Sequence, residues 1–418
     1  MISKKSSKKI ENYIIDELLG SGQYGEVYLT KVEGEKGVLY ATKVYDRDKV
    51  DGKILYTYVN NEFKILRYLK HPNICKFIDL KRTKKHYYFI SEYCNGGELS
   101  EALEKYKEKN GTPFTEEIVQ HFMRQIIDCF NYIHESKIIH RDIKLENILL
   151  NYENEEDKMN LNLMKAQVKI IDFGFSCMIG PNDLKYTFLG SKLYMDPIIL
   201  KQDFVSDEER KQLGYNESAD IWSIGAICYE MLIGYSPFNA NNEKELYEKI
   251  EKGNYEIPTN MSYEIVSFIN GMLQYNSKKR LTASQLIRHD FLTKDVKEFK
   301  NINLEKISGK VSEGMIKMNS KQDNTIWSIF NKEGESLLSS IKGNTFIKPK
   351  DKNEEMEFSN QNEQENSLKL SSNGIPENPI DENIIELNEE EMNKLRQDPN
   401  FKENNYICDG SIIIFKDE

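Results

Sequence analysis

His140-Arg141-Asp142-Ile143-Lys144-Leu145-Glu146-Asn147, followed by Ile171-Asp172-Phe173-Gly174, is the pair of stretches on which the reading of this chain turns. The first block puts a carboxylate, an ammonium and a carboxamide on one short loop. The second adds another carboxylate beside a glycine that permits a sharp backbone turn. Phosphoryl transfer uses these groups. One carboxylate orients an acceptor hydroxyl, a lysine meets phosphate charge, and a carboxamide with a second carboxylate supplies oxygen ligands to a metal ion. Either block alone could arise by chance; both in this order are a specific signal.

Upstream, Gly20-Ser21-Gly22-Gln23-Tyr24-Gly25-Glu26-Val27 is a G-x-G-x-x-G-x-V stretch. Glycines let a backbone approach phosphates without Cβ clashes. A dinucleotide-binding loop shares the pattern but opens a helix, whereas Glu26-Val27-Tyr28-Leu29 reads as a strand. Lys43 in Tyr40-Ala41-Thr42-Lys43 lies between apolar neighbours on another predicted strand. Glu62, on a helical stretch with Val59, Phe63 and Leu66 on one face, is its expected ion-pair partner.

Together these motifs resemble those of eukaryotic protein kinases of the serine/threonine type. The resemblance covers about two thirds of the chain. It implies an α+β, two-lobed protein kinase fold: a β-rich N-lobe with one main helix, a helical C-lobe, and here a disordered C-terminal tail. By that resemblance Asp142 accepts the substrate hydroxyl proton, and Lys144 stabilises the moving phosphate. Lys43 holds the α- and β-phosphates of ATP and is kept charged by Glu62. Asn147 and Asp172 bind Mg2+. Gly20, Gly22 and Gly25 cover the phosphates, Val27 and Ala41 roof the adenine, and Leu149 floors it. Glu92 and Cys94 bond the adenine edge through their backbone, and Glu98 contacts ribose or an upstream arginine of the substrate. Ser91 gates the space behind the adenine, where many kinases carry a larger side chain. His140 and Phe173 pack in an internal spine with Leu66 and Phe77, and Asp220 anchors the catalytic-loop backbone. Ser191 matches the hydroxyl that bridges Asp142 and Lys144. Thr187 matches an activating phosphosite, with Arg141 as its phosphate partner.

The resemblance has departures. The activation segment ends Tyr194-Met195-Asp196-Pro197-Ile198 in place of a stretch closing Ala-Pro-Glu. Ile198 replaces the glutamate, so Arg280 is expected to lack its usual partner. Lys192 replaces a common proline. Residues 151–162 read as an acidic hairpin insertion remote from the site, and 201–217 look expanded. The Gly-Ser-x-Leu-Tyr-Met stretch is similar to the autophagy-initiating, unc-51-like branch, and the overall pattern is similar to calmodulin-dependent kinases.

Composition sets bounds. With 418 residues, 39% hydrophobic, the chain can bury a large core. A net charge of −11 argues against a nucleic-acid binder that neutralises phosphates. Six scattered cysteines without a C-x-x-C pair suit a reducing compartment. No apolar run approaches the roughly 18 residues of a membrane span, and the start has neither a signal-peptide core nor a glycine at position 2. The expectation is a soluble cytoplasmic protein; oligomeric state is not legible.

Three regions follow: a loose basic arm over 1–12, a kinase domain over 13–292, and a low-complexity, mostly disordered acidic tail over 293–418. Residues 351–418 carry 18 acidic against 6 basic residues, a balance that cannot offset the entropy of ordering. Two islands stand out in the tail, 384–395 as a short amphipathic helix and 412–415 as a strand or docking segment; a regulatory partner would bind there. No EF-hand loop is present. The activity expected is transfer of the γ-phosphate of ATP to protein Ser/Thr hydroxyls, with basic residues preferred upstream of the acceptor because Glu98, Glu146 and Glu230 converge there in basophilic relatives. The rival readings are a pseudokinase scaffold, which Ile198 favours, and a small-molecule kinase.

Overall fold

Tyr13 and Ile15 are buried on either side of half-buried Ile14, and Val32 is buried between exposed Lys31 and Glu33, the two-residue period of a strand with one face on the core. The computed structural model describes residues 8–22, 25–47, 52–178, 192–201, 205–206, 209, 216–240, 242–302, 311–312, 314–321, 384–387, 407–408 and 411–415. Strands β1 (Lys8–Ile10), β2 (Tyr13–Gly22), β3 (Gly25–Val32) and β4 (Leu39–Asp46) precede helix α1 (Gly52–Tyr68), and β5 (Phe77–Arg82) and β6 (His86–Glu92) follow it. The six strands form one antiparallel sheet in the order β1-β2-β3-β4-β6-β5. Lys8–Ile10, read as part of a loose arm, pairs with β2, and the Lys8 ammonium lies 4.9 Å from the Tyr88 ring.

Below this lobe lie α2 (Leu99–Asn110), α3 (Glu116–Glu135), β7 (Ile138–Ile139), β8 (Ile148–Asn151), α4 (Glu155–Met159), β9 (Gln167–Ile170), β10 (Cys177–Met178) and α5 (Pro197–Lys201). Then come α6 (Ser218–Ile233), α7 (Glu243–Lys252), β11 (Asn254–Pro258), α8 (Tyr263–Met272), α9 (Ala283–Leu286) and α10 (Asp290–Thr293). Helix α3 starts where the Thr115 hydroxyl accepts from the Ile118 N–H, and it buries Val119, Phe122, Ile126, Phe130 and Ile133. That spacing is a helix with one apolar face. Helix α6 is buried almost all round and forms the centre of the lobe. The β8–β9 hairpin carries the expected insertion, which winds into α4 under an Asn154 N-cap.

The chain stays on this lobe past residue 292. Val311–Ser312 (β12) and Met315–Asn319 (β13) form a sheet with β11 in the order β11-β13-β12. Ile302, Ile316 and Met318 are buried. Charge and polar composition placed 293–321 with the tail. The alternation of buried Ile316 and Met318 around exposed Lys317 explains why it pairs instead.

Residues 331–418 form a separate unit. In it β14 (Ile384–Leu387), β15 (Ile407–Cys408) and β16 (Ser411–Phe415) make an antiparallel sheet with β16 central. The helix expected over 384–395 begins instead as strand β14, since an Ile-Ile-Glu-Leu run is too short for its period to distinguish the two. Position 412–415 is a strand, as expected.

Candidate active site

The turn between β2 and β3 is closed by the pairs Gly20↔Val27, Ser21↔Glu26 and Gly22↔Gly25. A Cβ on Gly25 would collide with the Val44 carbonyl oxygen, so only glycine fits there. Nothing lies within 4 Å of a Cβ built on Gly20, which leaves its backbone approachable. Gln23 and Tyr24, at the tip, lie outside the described residues.

Val27 faces Lys43, and Ala41 faces Ser91, across neighbouring strands. Val27, Ala41, Ser91 and Leu149 are all half-buried. Leu149 bridges to Glu98, and the Gly96 N–H donates to the Leu150 carbonyl. This ties the connection between the lobes to the β8–β9 hairpin. Glu92 is held from behind: its carboxylate accepts from the Lys169 ammonium at 2.9 Å and from the Lys76 N–H at 2.7 Å. Cys94 is buried with a free thiol.

The loop carrying Asp142 is shaped from below. The buried Asp220 carboxylate accepts from the backbone N–H groups of His140 and Arg141 at 2.9 and 3.0 Å. His134 also bonds it at 2.9 Å. Burial opposes that charge, but His134 and the loop N–H groups outweigh it and hold its pKa low. Arg141 (φ 71) and Asp172 (φ 67) take left-handed backbone conformations unusual for non-glycine residues. The His140 ring packs edge-on against Phe173 at 4.7 Å and Phe130 at 5.9 Å.

Asp142 is buried, 3.0 Å from the Lys144 ammonium. The Asn147 amide donates to both the Asp142 backbone carbonyl (2.8 Å) and its carboxylate (2.9 Å). With its N–H2 spent there, Asn147 keeps its amide oxygen as the acceptor for a cation. That oxygen and the Asp172 carboxylate are hard donors. Magnesium takes such a pair together with phosphate oxygens, rather than a dedicated all-protein cage. Among the described residues no cluster of three or more His, Cys, Asp or Glu could hold a metal.

The Lys43–Glu62 ion pair expected from the sequence is not the arrangement found. The Lys43 ammonium lies 3.3 Å from Asp172 Oδ2, and the Glu62 carboxylate accepts from the Tyr45 hydroxyl at 2.7 Å. Tyr45 lies two residues after Lys43, on the same strand face, and reaches the glutamate first. Lys43 is 5.2 and 5.4 Å from the ring centroids of Tyr45 and Tyr58. Burial works against its charge, but Asp172 and then Glu62 outweigh it and raise its pKa. Burial pushes the Glu62 carboxyl up, with Lys43 offsetting part of the shift.

The protein kinase domain family matches residues 13–292. The chain belongs to the protein kinase family. It is 33% identical over 288 residues to a Dictyostelium discoideum protein named as a probable serine/threonine-protein kinase, MARK-A, covering 68% of this chain and 24% of that one. It is 30% identical over 315 residues to the calcium/calmodulin-dependent protein kinase type 1 of Macrobrachium nipponense, covering 72% and 84%. The Aurora kinase of Dictyostelium discoideum is 30% identical over 285 residues, covering 68% and 67%. The chain thus spans about a quarter of the first relative and most of the second. By family and relatives it is a serine/threonine protein kinase.

In this kinase the activation segment from 179 to 191, with Thr187 and Ser191, lies outside the described residues. The segment's far end corrects one expectation. Arg280 has a carboxylate partner after all: Asp196, two positions before Ile198, with Nη1 to Oδ2 at 2.5 Å and both side chains buried. Arg280 also donates to the carbonyls of Gln274 and Ser218 and lies over Trp222.

Three acids converge beside the catalytic loop. Burial raises the pKa of Glu98 and of Glu230, and Glu146 lies near enough to raise both further. The sequence missed Tyr45, Tyr58 and Asp196. Spacing held a signal for the first two: Tyr45 is two residues from Lys43 on a strand, and Tyr58 is four from Glu62 on a helix.

Proposed function

We propose that this serine/threonine kinase binds ATP between the glycine turn and Leu149, holds Mg2+ with Asn147 and Asp172, and prefers substrates with basic residues upstream of the acceptor. Bound magnesium would neutralise charge on the nucleotide phosphates. Gly20, Gly22 and Gly25 present backbone to those phosphates, and Lys43 binds them once it exchanges Asp172 for the nucleotide. Asp142 accepts the acceptor hydroxyl's proton, held in aim by Asn147. Lys144, beside Asp142, meets the charge on the group in transfer.

One observation carries the substrate preference. Glu230 Oε2 is a buried carboxylate oxygen with no hydrogen-bond partner, although the Tyr194 hydroxyl lies near enough to this carboxylate to lower its pKa against burial. A buried acceptor left unpaired is costly, and Glu98 and Glu146 place more negative charge nearby. An arginine guanidinium from the substrate would supply the missing donors, and it suits carboxylates better than lysine does. The cytoplasm is the compartment we propose, consistent with free, buried thiols at Cys75, Cys94, Cys129 and Cys228. A regulatory partner for the acidic tail also belongs to this reading.

A positional peptide library tests it. Arginine should be selected two or three residues before the phosphorylated Ser or Thr, and that selection should weaken in Glu230→Gln and in Glu146→Ala. A library with no upstream basic selection would reject the preference. Asp142→Asn should lose about two to four orders of magnitude in turnover while binding nucleotide normally. Near-normal turnover by that variant would reject the assignment of Asp142 and favour a scaffold.

A further inference from the structure

Tyr58 lies on α1, one turn before Glu62, so both side chains leave the same helix face. It is 4% exposed. Its ring stands edge-on to Tyr45 (centroids 6.0 Å apart) and to Phe175 (5.1 Å). It also covers Gly174, where a Cβ would fall inside the ring. The hydroxyl of this packed ring donates to Asp172 Oδ1, while the Lys43 ammonium takes Oδ2. Each oxygen of the carboxylate that should ligate a cation therefore already faces a donor from the protein. Tyr45 likewise donates to one oxygen of Glu62, Oε2.

We infer that Tyr58 is a positioning residue that competes with the metal ion for Asp172: its hydroxyl occupies one carboxylate oxygen and must be displaced before that oxygen can ligate a cation. The inference rests on the reading of Asp172 as a metal ligand. A side chain that only filled space would need the ring and not the hydroxyl. Here the hydroxyl is aimed at the one acid on which nucleotide-bound metal depends. A hydrogen bond to an ionised group is strong enough for its release to weaken metal binding by about tenfold.

The test is calorimetric binding of ADP to the full chain, with and without Mg2+, in wild type, Tyr58→Phe and Asp172→Ala. Tyr58→Phe keeps the ring against Gly174 and Phe175 and removes only the hydroxyl. Binding of metal-free ADP should be equal in wild type and Tyr58→Phe, and Mg·ADP should bind about tenfold more tightly to Tyr58→Phe. Tyr58→Leu, which lacks the hydroxyl by a different route, should move in the same direction. An equal magnesium effect in wild type and both variants would overturn the inference, as would a smaller one in the variants. If magnesium strengthens ADP binding in wild type but not in Asp172→Ala, the metal reading stands and the Tyr58 arms decide. If Asp172→Ala keeps the full magnesium effect, the metal reading falls and the inference with it.

Discussion

Arg280 and Asp196 form a buried ion pair that closes the end of the activation segment onto the helical lobe, with 2.5 Å between Nη1 and Oδ2. Asp196 Oδ1 also accepts from the Ile198 N–H at 2.7 Å, so one carboxylate both caps the start of α5 and neutralises the arginine. Position 198 is an isoleucine where the family resemblance implies a glutamate, and the charge comes instead from Asp196, two residues earlier. Asp196→Ala would leave Arg280 buried and unpaired. The expected loss is about 3–5 kcal/mol of stability, read by denaturant unfolding. Asp196→Ala with Ile198→Glu should recover part of it. A single variant within about 0.5 kcal/mol of wild type would show that the pair does not hold the segment.

Ser91 sits on β6 between Ala41 and Phe77 on the flanking strands, with its hydroxyl 3.5 Å from the Ala41 carbonyl. A serine here projects little into the cleft. ATP-competitive inhibitors with a bulky aromatic group should bind the wild type, and Ser91→Met should weaken them by more than about tenfold, the cost of forcing extra methylenes into packed space. Activity should persist. Inhibition constants equal in the two proteins would dismiss the role of Ser91 as a gate.

The parts of this protein legible in its sequence are those fixed by local chemistry. The apolar spacing of Val119, Phe122, Ile126 and Phe130 marks α3, and the glycine turn with Lys43, Asp142, Asn147 and Asp172 marks the cleft. The parts that escaped depend on which of several partners reaches a group first. Glu62 was legible as an acid facing Lys43, but Tyr45 takes its carboxylate. Arg280 was legible as needing an acid, but the acid that reaches it is Asp196, two positions before the site where one was expected. The pairing of β13 with β11 joins segments about sixty residues apart, and only tertiary packing brings them together.

That pairing makes the described residues 293–302, 311–312 and 314–321 part of the catalytic body. Gln120 and Arg124 of α3 donate to the carbonyls of Leu292 and Lys294, and the Lys300 N–H donates to Glu264. Ending the protein at 292 would expose Tyr255 and Ile257 and remove the buried Ile302, Ile316 and Met318. At about 1.5–3 kcal/mol for each side chain, a 1–292 fragment should be less stable than a 1–321 fragment by about 5 kcal/mol or more. Equal melting temperatures for the two fragments would refute this.

His289 predicts how the helical lobe responds to acid. Its Nδ1 accepts from the Phe291 N–H at 3.1 Å and caps α10, while Nε2 lies 3.2 Å from the Ser267 hydroxyl and the ring packs on Phe268. Burial lowers its pKa to about 4, with Asp290 pulling upward and Lys294 downward. The neutral ring is the form that fits, because a protonated Nδ1 would face the Phe291 N–H donor to donor. The unfolded chain takes up this proton near the ordinary histidine value, well before the folded chain does. The unfolded state therefore binds more protons between about pH 6.5 and 4, and stability falls as pH falls through that window. Above it neither state is protonated there, and below it both are, so the loss is confined to the window and amounts to something on the order of 3 kcal/mol. His289→Asn keeps a capping acceptor without the titration. Unfolding free energies measured from pH 7 to pH 4 should fall less steeply in His289→Asn than in wild type, the difference isolating this group from carboxylates that titrate in both. Parallel curves would mean that His289 is not held neutral in the fold.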